Sequence, residues 1–308
     1  MLEQLKEIPT YADGRMSLYD LYHRSIDLES KYGWSKELIY SIKIQGNNGE
    51  INVPVYCFLS PKQGESLWLI TGIHGEEPAG PNAVAQQIDY LGKLGSTVPM
   101  VIMPLLNPAG YYRNWRFHHV ERSIERLNVT DSRHLISRIE NPKQPILRSP
   151  IHGVADTVTK HFLGLLNKFP PLLYFDLHED EQLEEGYVYS QGTLEKRDPV
   201  AAKVVELFVK SGVPLKMSGE TRFAGEKITN GIVTDTHGNR VKDGSVDEFI
   251  SNETYFDIER KIVPKPFATT SIVTETPGKG ILADRIRAQE SIVAHLAELW
   301  EISSHSIH

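Results

Sequence analysis

His74 and Glu77 stand in Thr71-Gly-Ile-His-Gly-Glu-Glu-Pro-Ala-Gly80, directly after the apolar run Leu67-Trp-Leu-Ile70. Three positions apart, an imidazole and a carboxylate can converge on one ion. Two histidines and a glutamate, with a fourth position left for water, form a common ligand set for zinc in hydrolases. Alone, the pair means little, because His and Glu at this spacing occur in most chains and a solvated loop accounts for them. A metal site needs a second histidine, groups that handle developing charge and a carboxylate base.

The apolar run Leu172 to Leu177 leads into Asp176-Leu-His-Glu-Asp180. Period-two alternation puts Asp176 and His178 on one face of a strand, so one can bind a metal while the other orients a ligand imidazole. His178 thus supplies the second histidine. A second apolar run, Val98 to Leu106, enters Asn107-Pro-Ala-Gly-Tyr-Tyr-Arg-Asn-Trp-Arg116. Its Asn-Pro-x-Gly reads as a turn that delivers Arg113 and Arg116 to the sheet edge that carries His74. Arginine captures carboxylates bidentately and holds charge on a developing oxyanion, although surface salt bridges explain such a pair equally well. Arg133, in Val129-Thr-Asp-Ser-Arg-His134, lies in a segment too polar for core. The neighbouring His118, His119 and His134 lack an acidic partner at ligand spacing and read as surface or outer-layer residues. In Ser271-Ile-Val-Thr-Glu-Thr-Pro277 the proline stops a strand and leaves Glu275 at its carboxyl end. There a carboxylate can take a proton from an activated water and pass it on, or simply cap the helix that follows.

These side chains need a sheet whose strand ends share one edge. Residues 1–35 are mixed and Tyr-rich, with an amphipathic helix over Leu18 to Leu28. Leu38 to Ile44 and Ile51 to Leu59 are β-rich runs joined by Gln45-Gly-Asn-Asn-Gly-Glu50, a hairpin signal. The runs 67–70, 98–106 and 172–177 are continuously apolar, as strands covered on both faces should be. Helical spacing recurs over Pro81 to Leu91, Val154 to Phe169, Val200 to Phe208 and Ile286 to Trp300. Strands alternating with helices predict an α/β three-layer sandwich with a mixed, largely parallel central sheet and helices on both faces. No composition break marks a boundary, so one domain over 1–308 is expected, with 1–65 as N-terminal cover and hairpin and 66–300 as core. Met217 to Pro266 is polar, rich in Gly, Thr and Asn, and reads as a long functional loop region, with a hairpin turn at His237-Gly-Asn239.

Composition excludes several classes. With 308 residues, 40% of them hydrophobic, the chain is globular. A net charge of -7 gives no basic surface for nucleic acid or anionic membrane. The N-terminus shows no secretory signal and no run approaches a membrane span, so a cytoplasmic protein is the expectation. The single Cys57 excludes an intramolecular disulfide framework and a Cys-rich zinc ribbon, and reads as a small buried strand residue.

The order of the pieces resembles the zinc metallocarboxypeptidase family of the carboxypeptidase A type, with its deacylase relatives, the aspartoacylases and succinylglutamate desuccinylases. His-x-x-Glu, Asn-Pro-x-Gly, Arg-x-x-Arg, a polar Arg segment, a strand-end His and a Glu near the C-terminus occur in the family's order from about Leu67 to Trp300. The resemblance implies one Zn2+ per chain held by His74, Glu77 and His178, with Glu76 pointing away as an outer-layer or solvent residue. It implies Arg116 as the group that polarises the scissile carbonyl and holds the oxyanion, and Glu275 as the general base. The family's Asn-Arg carboxylate clamp falls on Ser132-Arg133, where serine replaces the amide; Asn107 and Arg113 join the substrate-binding candidates. Tyr255 is the candidate for a tyrosine that closes over substrate, with Tyr187 and Tyr189 also near the site. The implied substrate is a peptide cut at its C-terminal amide. The segment Thr276-Pro-Gly-Lys279 looks more like the branch that shades into the deacylases, which implies an N-acyl amino acid as the alternative.

Overall fold

The computed structural model describes residues 2–117, 154–223, 225–233, 245–257, 259 and 261–306. Helices α1 (Leu18–Ser25) and α2 (Asp27–Ser30) precede the hairpin β1 (Ser35–Gly46) and β2 (Gly49–Leu59). Ser17 caps α1 by accepting the Asp20 backbone N–H. Strand β3 (Ser66–Thr71) leads to α3 (Ala79–Gln86) and α4 (Ile88–Leu94), so the single helix expected over 81–91 is two, broken at Gln87. The strand expected over 98–106 is only β4 (Met100–Met103). Pro99 and Pro104 flank it, and neither can donate to the ladder.

The Asn-Pro-x-Gly segment is not an open turn but the start of α5 (Pro108–Arg113), with Asn107 as its N-cap and Pro108 in its first turn. Helix α6 (Val154–Leu165) leads to β5 (Pro171–Asp180), then β6 (Tyr187–Ser190) and α7 (Pro199–Ser211), which Asp198 caps. The described residues between 217 and 266 are more structured than a loop region. Strands β7 (Ser218–Glu220), β8 (Lys227–Thr229) and β9 (Ile232–Val233) extend the sheet; then come α8 (Val246–Ser251) and the hairpin β10 (Thr254–Phe256) with β11 (Ile262–Pro264). The turn expected at His237-Gly-Asn239 lies outside the described residues. Finally β12 (Thr270–Pro277) feeds α9 (Leu282–Ala294) and α10 (Leu296–His305), where one helix was expected.

The ten-stranded sheet has the order β1-β2-β4-β3-β5-β12-β6-β9-β8-β7. Its centre, β4-β3-β5-β12, is parallel, and β2 and β6 flank it antiparallel. The sheet is mixed, as expected, and helices cover both faces. Along β3, Leu67 and Leu69 enter a core with Val84, Val204 and Ile292, from α3, α7 and α9. The alternate Trp68 and Ile70 enter a core with Phe162 and Phe249, from α6 and α8. Covering both faces is what makes the central strands read as unbroken apolar runs. A third core joins Leu5, Leu18 and Leu21 of the N-terminal cover to Val53, Leu105 and Tyr111. Cys57 is fully buried in β2. Among the described residues no helix is long and apolar enough to cross a membrane.

Candidate metal centre

The parallel centre points the carboxyl ends of β3, β5 and β12 the same way, and the polar residues stand on the ends of β5 and β12 and in the loop after β3. After β3 the chain turns through Gly72, whose φ of +64° lies in the left-handed region that glycine tolerates best. Gly75 then passes so close to α5 that a Cβ there would stand 2.1 Å from the Gly110 carbonyl carbon. The loop is therefore pressed onto α5, and His74 and Glu77 are carried inward.

His74, Glu77 and His178 each offer one ligand atom, and these atoms lie within 4.8 Å of one another. Nδ1 of His74 is 2.8 Å from Glu77 Oε1, and Nδ1 of His178 is 2.9 Å from Glu77 Oε2. Behind His178, its Nε2 meets Asp176 Oδ1 at 3.0 Å, and the Tyr174 hydroxyl donates to Asp176 Oδ2 at 2.7 Å. The alternation along β5 thus leaves His178 facing the centre and Asp176 orienting its ring, an arrangement typical of histidine ligands.

All three candidates are nine-tenths or more buried: His74 is 5%, Glu77 4% and His178 8% exposed. Burial opposes charge on His178, but the Asp176 and Glu77 carboxylates outweigh it and hold the imidazole well above the usual histidine range. Burial likewise opposes charge on Glu77, yet His74 and His178 keep its carboxyl well below the usual range. The buried cluster shares its charge among two ring nitrogens and one carboxylate, the donor set that suits a borderline cation such as zinc. The residues present fit a metal.

Glu275 sits opposite His178 in the parallel pairing of β12 with β5. Burial pushes its carboxyl up to about 8, against the pull of His178 and His74 and with the push of Glu77 and Asp180. Arg116 Nη1 lies 3.2 Å from Glu77 Oε1 and 3.6 Å from Glu76 Oε1, with the arginine side chain 26% exposed. Glu76 does not reach solvent as one expectation had it; its side chain is only 5% exposed and it pairs with Arg116 from the outer layer.

Three expected residues make other contacts. Asn107 is buried, its Oδ1 accepting from Gly110 N at 2.7 Å and its Nδ2 donating to the carbonyls of Arg116 at 2.8 Å and Ile73 at 3.3 Å. An amide engaged at both ends shapes the site from beneath instead of touching substrate. Arg113 donates to the carbonyls of Ala109 and Phe117, in its own segment. Tyr255 packs edge-on against Phe249, ring centroids 6.1 Å apart, at the α6 and α8 face of the sheet. The β10–β11 hairpin leaves Tyr255 half-buried against the core of that face. Ser132 and Arg133, with His118, His119 and His134, lie outside the described residues.

Tyr187 of β6 is the register partner of Glu275 and is buried, stacking edge-on with Tyr189 at 5.4 Å. The Tyr189 hydroxyl meets Glu226 Oε2 at 2.9 Å, and Arg222 Nε meets Asp180 Oδ2 at 3.0 Å. Two further residues escaped sequence reading. Glu179 accepts from Ala79 N at the start of α3 and pairs with Arg285 of α9, and burial lifts its carboxyl to about 7. Arg15 reaches the ligand loop from the N-terminal cover. Glu179 could have been suspected from its place between His178 and Asp180; nothing in the sequence signals Arg15.

Known proteins resemble the chain in structure only. A metallopeptidase candidate from Shewanella amazonensis superposes with a TM-score of 0.61 at 20% identity, covering 91% of this chain and 92% of its own. A metallo-carboxypeptidase from Burkholderia cenocepacia gives 0.57 at 13% identity, over 93% of this chain and 70% of its own. Carboxypeptidase A from Helicoverpa armigera gives 0.58 at 10% identity, over 99% and 80%. The fold is that of the zinc carboxypeptidases. No protein-family model and no curated protein matches the chain. At these identities the likeness speaks for the carboxypeptidase fold and for nothing finer.

Proposed function

We propose that the chain is a zinc-dependent metallohydrolase that cleaves the C-terminal amide bond of a peptide or peptide-like substrate. The observation that carries this reading is the convergence of the two Nδ1 atoms and the Glu77 carboxylate, with Asp176 fixing one ring from behind. His74, Glu77 and His178 would hold the ion. Zinc supplies an activated water and polarises the carbonyl it faces.

The protein's own groups do the rest. Glu275, in register beside His178, takes the proton from the attacking water and returns it to the leaving amine. Its burial suits the task, since a carboxyl pushed toward neutral pH both accepts and gives up a proton readily. Arg116, held at the rim by Glu77 and Glu76, turns its guanidinium to the oxygen on which charge develops. Arg133 with Ser132 is the proposed clamp on the substrate's carboxylate.

The test is a panel of blocked dipeptides and N-acyl amino acids assayed with metal-loaded protein, alongside Glu275→Gln. Release of C-terminal residues supports the reading; release of free acid from N-acyl amino acids alone moves the site to deacylation. Glu275→Gln is expected to keep the metal and lose about 10²-fold or more in kcat, and a fully active variant would remove Glu275 from the scheme.

A further inference from the structure

The ligand loop and the turn that carries Arg116 must keep one geometry, yet Glu77 and Arg116 are 39 positions apart in the chain. Their direct backbone tie is weak: Gly75 N reaches Arg116 O only at 3.4 Å. A third segment spans them. Arg15 precedes α1, and its side chain is fully buried. Nη1 donates to the carbonyls of Gly75, at 3.2 Å, and Tyr111. Nη2 donates at 2.6 Å both to Asn114 Oδ1 and to Asp13 Oδ2, and Nε donates to Asp13 as well.

Each contact has a distinct use. Gly75 is the residue between His74 and the Glu76-Glu77 pair, 60 positions from Arg15. Asn114, 99 positions away, is the left-handed cap (φ 53°) that ends α5 and sends the chain toward Arg116. Asp13 balances the buried charge. The guanidinium also sits between the rings of Tyr11 and Tyr111, 5.0 and 4.9 Å from their centroids. Its backbone neighbour is fixed too: Met16 N donates to Asn82 Oδ1 at 2.8 Å, and Met16 O accepts from the Tyr111 hydroxyl at 3.0 Å. Asn82 in turn donates to Pro78 O, directly after Glu77. One arginine with a rigid fork of donors thus ties the middle of the ligand loop to the approach of the oxyanion arginine, a task a point charge cannot perform.

We propose that Arg15 is a positioning residue of the metal centre, which holds the His74–Glu77 loop and the Arg116 turn in register. The inference rests on the functional reading above for what Arg116 does, and on geometry alone for what Arg15 holds.

The test uses full-length protein with Arg15→Lys, which keeps the charge and loses the fork, and Asn114→Gly, which keeps the left-handed backbone and removes one arm of the brace. Two readouts separate positioning from plain stability. In the Co2+-loaded protein, Arg15→Lys is expected to alter the visible spectrum and weaken metal affinity about 10-fold, as loss of outer-shell support commonly does. In turnover at saturating metal, kcat falls about 10-fold with KM nearly unchanged, and Arg15→Lys added to Arg116→Met costs less than the product of the two single effects, because part of its effect passes through Arg116. An unchanged cobalt spectrum and affinity, or effects of the two substitutions that multiply, overturns the proposal. Should the parent protein hydrolyse nothing, the functional reading falls while the cobalt measurement still decides for or against Arg15. Should Arg15→Lys not fold, Asn114→Gly is judged by the same two readouts.

Discussion

The metal centre and the outermost strands β7 and β8 lie at opposite extremes of burial within one sheet. Around His74, Glu77 and His178 the backbone is buried, each candidate ligand has a described partner, and glycine at 75 leaves no room for even a methyl group. Beyond β6 the sheet thins into strands of two and three residues; Ser218–Glu220 is exposed throughout, and Met217 and Phe223 stand 45% and 50% exposed. Few buried contacts mean low local stability and tolerance to change. On the proposed reading, chemistry belongs to the centre and substrate choice to the edge, where the Tyr189 hydroxyl meets Glu226 on a strand paired with that of Glu275.

The comparison breaks most completely at the ligands. His74→Ala is expected to abolish stoichiometric zinc binding and hydrolysis together, read by metal analysis of the purified variant; full zinc content would show that the trio is not the site. Next, Arg116→Met should keep zinc and lower kcat by about 10²- to 10³-fold, as removal of an oxyanion donor does. Asp176→Asn, which leaves His178 without the carboxylate behind its ring, should weaken zinc binding about 10- to 100-fold in a competition titration with a chelator.

At the edge, effects should change in kind. Tyr189→Phe removes one of the two hydroxyls that meet Glu226 Oε2 and leaves that of Thr221, and the ratio of kcat/KM between two substrates should shift by about 10-fold or less, the worth of one hydrogen bond, with zinc content unchanged. A fall in kcat alike for every substrate would place Tyr189 in the chemistry instead. Away from the edge, a last effect concerns Lys265, buried against Phe249 and donating to the carbonyls of Asn252 and Pro266. Burial lowers its pKa from 10.5 to about 7, so between these values the unfolded chain binds the proton that the folded chain has released. Stability from this group therefore rises with pH across that window and is least below it. Lys265→Met should flatten the rise of Tm between about pH 7 and 10 relative to the parent, and an unchanged slope would deny the burial its cost.

The sequence exposed the centre because its residues sit at strand ends, where apolar runs stop and polar ones begin. His74, Glu77, His178 and Glu275 each follow such a run, and alternation sufficed to pair Asp176 with His178. Asn107 misled because an amide that caps a helix and an amide that binds substrate look alike in sequence, and only the backbone of α5 tells them apart. The direction of Tyr255 depends on a short hairpin with no periodicity to read. The strands from β6 to β9 span two to four residues each, too few for a period to show. Arg15 had no signal, since its role depends on contacts 60 and 99 positions away.

The central claim, that one metal is held by these three side chains, is tested most directly by anomalous diffraction at the zinc edge from crystals of the zinc-loaded protein. The account predicts one strong peak at about 2.0–2.2 Å from His74 Nδ1, His178 Nδ1 and a Glu77 carboxylate oxygen. A crystal without a peak there, or with its strongest peak on other residues, would contradict it.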